Sequence, residues 1–361
     1  MSAHSVPKSS WIFPALAAVF VAATAGLGLA FTPSAAGAVF AAVLLVILFG
    51  TVFAAVHHAE VIAHRIGEPY GTLLLTLSVI IIEVAVIATI MLGDKAAPTL
   101  ARDTVFAVVM IVCNGLVGVC ILAGGLRYME QEFQVSGTKV YLSVLIVLST
   151  ISLILPNYTL TTPGPLYSSM QLGFVSIVTL ILYGLFLYTQ TVLHRDYFIT
   201  SADDAGEDHG PGGVATNAVL LVVSLVAVVA LAKSFSVVVD AGAAAIGAPP
   251  AFSGIVVALL VLLPESVAAI SAARHNELQK SINLSLGSAL ATISLTIPAV
   301  ALAAWLLDKP LVLGLAPREM VLLVMTFVLS MITFGTGRTN ILFGLVHVLV
   351  FAVFVFVVFV P

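Results

Sequence analysis

Eleven apolar stretches, each of about 20 residues, leave this chain few folds to adopt. They run over Trp11–Phe31, Gly37–Val56, Gly71–Leu92, Thr104–Gly125, Val140–Leu160, Ser169–Gln190, Val214–Phe235, Pro250–Ala272, Ser281–Leu306, Glu319–Thr336 and Asn340–Val360. About 20 apolar residues in helical form cover the ~30 Å hydrocarbon core of a bilayer. The ten-residue alternating strands of a membrane barrel are absent. Only 8% of the 361 residues are charged, against about 25% in a soluble domain, so these stretches cannot be the core helices of a water-soluble globule. The sequence predicts an all-α integral membrane protein with about 11 transmembrane helices. Its first stretch is longer than the roughly 7–15-residue core of a signal peptide and is expected to be a retained helix.

One connection is long and polar, His194–Gly213. With the first helix set aside, it divides ten helices into two groups of five. Tandem five-helix units insert with opposite orientations because five is odd, which is the inverted-repeat plan of many secondary transporters. The expected division is 1–36 for an N-terminal segment with the first helix, 37–190 for the first five-helix repeat, 191–213 for an acidic cytoplasmic linker and 214–361 for the second repeat. Basic residues give the orientation. The N-terminal face collects Lys8, Arg65, Arg127, Lys139, Arg195, Arg274, Lys280 and Arg338, and the other face Lys95, Arg102, Lys233, Lys309 and Arg318. The excess places the N-terminus in the cytoplasm.

Of 17 acidic residues, all but two are expected in loops or at helix ends. The exceptions are Glu83 and Glu265. A charge at mid-membrane costs roughly 2.5–3.5 kcal/mol on insertion scales and marks a functional site by default. Each glutamate falls in the second helix of its five-helix unit, and each follows a glycine, Gly71 or Gly254, by about three turns. Repeat symmetry would put both near the midplane. A glutamate that stays protonated and bonds a neighbouring helix is the alternative for either taken alone. Pro264 precedes Glu265 and is expected to kink or break its helix, freeing a carbonyl near Leu260. The following helices carry Asn114 and, in the second half, Asn283, Gly287 and Ser288. Amide and hydroxyl oxygens suit hard cations, although interhelical hydrogen bonding or plain packing would also account for them. Two carboxylates with such neighbours could hold Ca²⁺, which takes about 6–8 oxygens, or two protons instead. Cation and protons competing for one site is the physical core of an antiporter.

Other candidates are weaker. His57, Glu60 and His64 share one helix face in the order H-x-x-E-x-x-x-H, which is not the zinc-protease motif; they read as interfacial residues, with a regulatory metal or pH-sensing role as the alternative. His347 lies inside the last helix, either as a satisfied core histidine or as a proton relay. Asp196, Asp203, Asp204, Glu207 and Asp208 make the linker acidic: a solvated connection, or a regulatory cation sensor without EF-hand spacing. Cys113 and Cys120, two turns apart on one helix, read as small buried apolar residues. No basic patch suggests nucleic acid.

With these residues in view, the chain resembles the calcium/proton exchangers of the calcium/cation antiporter superfamily, in particular their ChaA-type bacterial branch. The resemblance is carried by His58–Met91, Asn114–Gln134, Leu262–Ala301 and Thr333–Asn340 and covers nearly the whole chain. It implies a 1 + 5 + 5 helix exchanger fold in the cell inner membrane and Glu83 and Glu265 as the acidic pair that binds cation and protons in turn. It implies no enzyme activity and no cofactor; Ca²⁺ (or Na⁺/K⁺) and protons are cargo, and the bilayer and small inorganic cations are the partners. Many such exchangers carry an asparagine three residues before each glutamate. Here those positions hold Ile80 and Leu262, which opens the alternative of Na⁺(K⁺)/H⁺ exchange. A cation channel and a membrane enzyme are the remaining classes: the first would conduct without proton coupling, and the second would need the His57/Glu60/His64 group to act.

Overall fold

The computed structural model describes residues 8–67, 70–92, 98–198 and 213–360. They form eleven helices: α1 Lys8–Leu27, α2 Ala35–Ile66, α3 Tyr70–Met91, α4 Leu100–Tyr128, α5 Val135–Tyr158, α6 Ser169–Leu193, α7 Val214–Ala245, α8 Ala251–Arg274, α9 Leu278–Leu306, α10 Pro317–Thr333 and α11 Ile341–Phe359. Ten are long and apolar enough to cross a membrane; α10, at 17 residues, is the short one. One antiparallel ribbon pairs β1, Glu130–Glu132, with β2, Arg338–Asn340, and Arg338 meets Glu132 at 2.8 Å. Local chemistry sets the helix ends. Ser34 caps α2 by accepting from the Gly37 N–H, and Gly67 ends it at φ +74°, where a side chain would be strained. Ser168 and Gln171 form a reciprocal capping box at α6, and Glu319 reaches back to the Ala316 N–H at α10.

The helices fall into two compact units. The first comprises α1, α2, α3 and α7; the second holds the other seven and the ribbon. Each draws on both halves of the sequence.

In the first unit α2 and α7 are 32 residues each, about 48 Å at ~1.5 Å per residue and well beyond a ~30 Å hydrocarbon core. Both overrun their apolar stretches by ten residues, ending at Ile66 rather than Val56 and at Ala245 rather than Phe235. Asp240 therefore lies on helix beyond the apolar stretch, while His57, Glu60 and His64 lie on the extension of α2, as their shared helix face led one to expect. His58, fully buried, ties three helices together. Its Nδ1 lies 2.7 Å from Asn217 Oδ1 on α7 and its Nε2 3.0 Å from the Ser10 carbonyl of α1, and a neutral ring donates to one of the two. Asn217 in turn donates to the Gly213 carbonyl at 3.1 Å. Replacing His58 by leucine strands one buried acceptor, at a cost of about 1–3 kcal/mol. Thermal unfolding in detergent is expected several degrees below wild type; an unchanged midpoint would mean the junction contributes nothing.

In the second unit α4 is the most enclosed span. It packs on α8, α9 and α11. Gly118 and Gly344 let α4 and α11 cross with backbone near backbone: a Cβ on either would lie 3.0 Å from the other's carbonyl oxygen. α4 and α9 are both 29 residues long, and each contains a wide π turn, at Ile111–Leu116 and Thr292–Thr296. Such turns concentrate at functional sites.

Candidate cation site

Glu83 is the fourteenth residue of α3, and its side chain is fully buried within the first unit. The helix around it is apolar on every face, with Ile80, Ile82, Val86 and Ile87 buried beside it. α3 starts against the end of α2, where Gly71 leaves room for the Ala63 carbonyl; a Cβ there would sit 2.5 Å from that oxygen.

Glu265 is the fifteenth residue of α8, half-buried, in the second unit. Its helix is fixed at both ends. Near the start, Gly254 lies against the first turn of α4, and a Cβ would come within 2.8 Å of the Asp103 and Thr104 backbone. That turn is itself held rigid: Arg102 pairs with Asp103 at 2.7 Å and donates to the Gly314 carbonyl at 3.0 Å, while Thr99 donates to Asp103 at 2.8 Å. At the far end Gln131 of β1 donates to the Ala273 carbonyl at 3.0 Å and to Asn276 at 3.1 Å.

The break expected at Pro264 is not there. α8 continues without interruption from Ala251 to Arg274. A single proline removes one amide donor, and the bonds of the flanking turns carry the helix across.

Asn114 sits in the wide turn of α4, fully buried, at the hub of a polar network. Its Nδ2 donates to Thr326 Oγ1 on α10 at 2.8 Å, and Thr326 donates to the Leu322 carbonyl at 2.7 Å. With the amide so oriented, Asn114 Oδ1 accepts from His347 Nδ1 at 3.3 Å, and His347 Nε2 accepts from Thr333 at 2.9 Å. Every side chain in the network is fully buried. His347 is thus held by hydrogen bonds at both ring nitrogens. Asn283 is bonded elsewhere: it donates to the Phe198 carbonyl at 2.6 Å and accepts from Gln279 at 2.8 Å. Gly287 lies in ordinary contact with the Tyr141 ring, 3.7 Å from a built Cβ, and Ser288 is half-buried.

Residue type pairs Asn114 with Asn283, but register does not. Asn114 is the fifteenth residue of the 29-residue α4, and the fifteenth of the equally long α9 is Thr292, the first residue of its wide turn and buried. Composition passes over Thr292, which helix position alone singles out. The hydroxyls of Thr326 and Thr333 were equally legible, because with Ser330 they form one polar stripe, spaced by four and three, on the apolar α10.

His57 is half-buried, while Glu60 and His64 are exposed. Among the described residues no three His, Cys, Asp or Glu side chains gather to hold a metal. Cys113 and Cys120 are buried free thiols. Asp196 falls in the short turn Arg195–Tyr197; Asp203, Asp204, Glu207 and Asp208 lie outside the described residues.

Comparison with known proteins adds an independent line. The sodium/calcium exchanger protein family matches residues 34–192 and 216–360. The y4hA protein of Sinorhizobium fredii is 44% identical over the whole of this chain and 98% of its own length. The sodium-potassium/proton antiporter ChaA of Escherichia coli is 39% identical over 87% of each chain. A Ca²⁺/H⁺ antiporter of Aphanothece halophytica is 25% identical over 63% of this chain and 66% of its own. Among solved structures, native YfkE superposes with a TM-score of 0.74 at 18% identity, covering 98% of this chain and 100% of that one. At that identity the likeness is one of fold.

Proposed function

We propose, on the premise that this chain belongs to the sodium/calcium exchanger protein family, that it exchanges Ca²⁺ for protons and so expels calcium from the cytoplasm. The chain is a multi-pass membrane transporter of small cations and not an enzyme. The observation that carries the reading is the placement of Glu83 and Glu265 at matching depths of matching helices, α3 and α8, in a chain whose spans hold few other acids. Each carboxylate binds a cation when ionised and a proton when not. A doubly charged empty site crosses the membrane at high cost, whereas the calcium-loaded and the protonated site are both neutral and cross cheaply. Exchange is then obligatory, with one Ca²⁺ against two protons as the simplest count. Asn114, Asn283, Gly287 and Ser288 stand as candidate lining residues, Thr292 joins them by helix position, and the linker acids Asp203, Asp204, Glu207 and Asp208 stand as candidate regulators. The membrane is the inner one, with the N-terminus cytoplasmic.

A second reading, Na⁺ or K⁺ against protons, is favoured by Ile80 and Leu262 where an amide oxygen would stand and by the 39% identity to a sodium-potassium/proton antiporter. Purified protein in liposomes with a trapped pH dye and an imposed proton gradient separates the two. Proton efflux is expected on adding Ca²⁺, with half-maximal Ca²⁺ rising as the external pH falls, since protons compete for the carboxylates. Larger responses to Na⁺ or K⁺ would establish the second reading, and conduction without proton movement would sink both.

A further inference from the structure

A cleft of about 480 Å³ opens in the second unit between the start of α6 and the end of α9. Its size falls within the roughly 300–1,000 Å³ of ordinary ligand sites. Its walls belong to helices long and apolar enough to span a membrane. Apolar residues line both, Leu172 and Gly173 on α6 and Ala301 and Leu302 on α9. Its mouth is polar, with Ser169 on α6 and Asp308 and Lys309 just past α9.

The mouth is built rather than incidental. α9 closes with Leu307, Asp308 and Lys309 donating their amides to Ala303, Trp305 and Ala304, and Asp308 takes the left-handed φ of +50°. This turn fixes a carboxylate and an ammonium side by side, both exposed. Among the described residues neither makes an ion pair. Trp305, 73% exposed, stands at the rim, and tryptophans and lysines are the usual anchors at headgroup depth.

We propose that this cleft is a phospholipid site selective for an amine-bearing zwitterionic headgroup. One acyl chain lies along Leu172, Gly173, Ala301 and Leu302. The headgroup phosphate meets Lys309 and the Ser169 hydroxyl, and its ammonium donates to Asp308. An anionic headgroup without an amine meets the Asp308 charge unfavourably, and a trimethylated amine has no N–H to donate.

The test is native mass spectrometry of the full-length protein in detergent with an equimolar mixture of phosphatidylethanolamine, phosphatidylglycerol and phosphatidylcholine. Phosphatidylethanolamine is expected as the retained adduct, at least fivefold over either of the others. Two variants check the place. A Cβ at Gly173 meets nothing within 4 Å, so the Gly173→Trp side chain starts in open space; it should occupy the cleft and remove the adduct. Asp308→Asn with Lys309→Gln alters only exposed side chains and should remove the headgroup preference. Equal retention of the three lipids, a preference for phosphatidylglycerol, or retention unchanged in both variants would each overturn the proposal.

Discussion

Glutamine at position 83 is expected to abolish cation-driven proton movement in liposomes, by at least about 100-fold, while leaving the protein folded. The substitution keeps the shape of a fully buried side chain and removes both the charge that binds a cation and the group that takes up a proton. An exchanger deprived of either half-cycle stops, so the loss falls on turnover and not only on affinity. Stability should hold or rise, since a neutral amide at membrane depth avoids the cost of roughly 2.5–3.5 kcal/mol attached to a charged one. Glu265→Gln should do the same from the other half of the chain. Near-normal exchange in either variant would remove that residue from the transport site, whatever its burial.

The second large effect is expected from Gly254→Val, about three turns from Glu265. The new Cβ would lie 2.8 Å from backbone atoms of Asp103 and Thr104. Those atoms cannot swing aside as a flexible side chain would, and the Arg102–Asp103 pair and its bond to Gly314 hold the turn in place. α8 must therefore shift away from α4 and take Glu265 with it. A displacement of about 1 Å at a binding group can cost on the order of 100-fold in rate. Gly242→Ala is the matched control, because a Cβ there meets nothing within 4 Å. The initial rate of dye dequenching reads both; equal rates would show that the close approach of α8 and α4 does not set the site.

A residue's place is legible in the sequence wherever a charge or an apolar run has no alternative. Glu83 and Glu265 stand out because bilayer energetics exclude nearly every other acid from mid-span, and eleven apolar stretches become eleven helices because lipid leaves unpaired backbone no other solution. The end of α7 was not legible, and that of α2 showed only in the shared helix face of His57, Glu60 and His64. His57 to Arg65 and Lys233 to Asp240 change the composition without stopping the helix, since α-helix continues in water once nothing breaks it. The wide turns at Ile111–Leu116 and Thr292–Thr296 were also hidden. They are recognised by a slip in periodicity, and α4, enclosed along nearly all its length, has no polar stripe to slip. The Asn114–Asn283 likeness was likewise a matter of composition, whereas the residue at the same position of α9, Thr292, is a different residue type. Pro264 is the opposite case: of the kink or break it signals, the break does not occur, because the bonds on either side carry the helix across.

The small ribbon of β1 and β2 constrains the topology by parity. Strands that pair outside the bilayer must emerge on the same face, and six helices, α5 to α10, separate Glu132 from Arg338. An even number of them must therefore cross. Five are long enough to do so on their own, which obliges the sixth, α10, to cross as well despite its 17 residues. Three residue pairs of β-structure thus support the eleven passes of the apolar stretches, which helix length alone leaves one short.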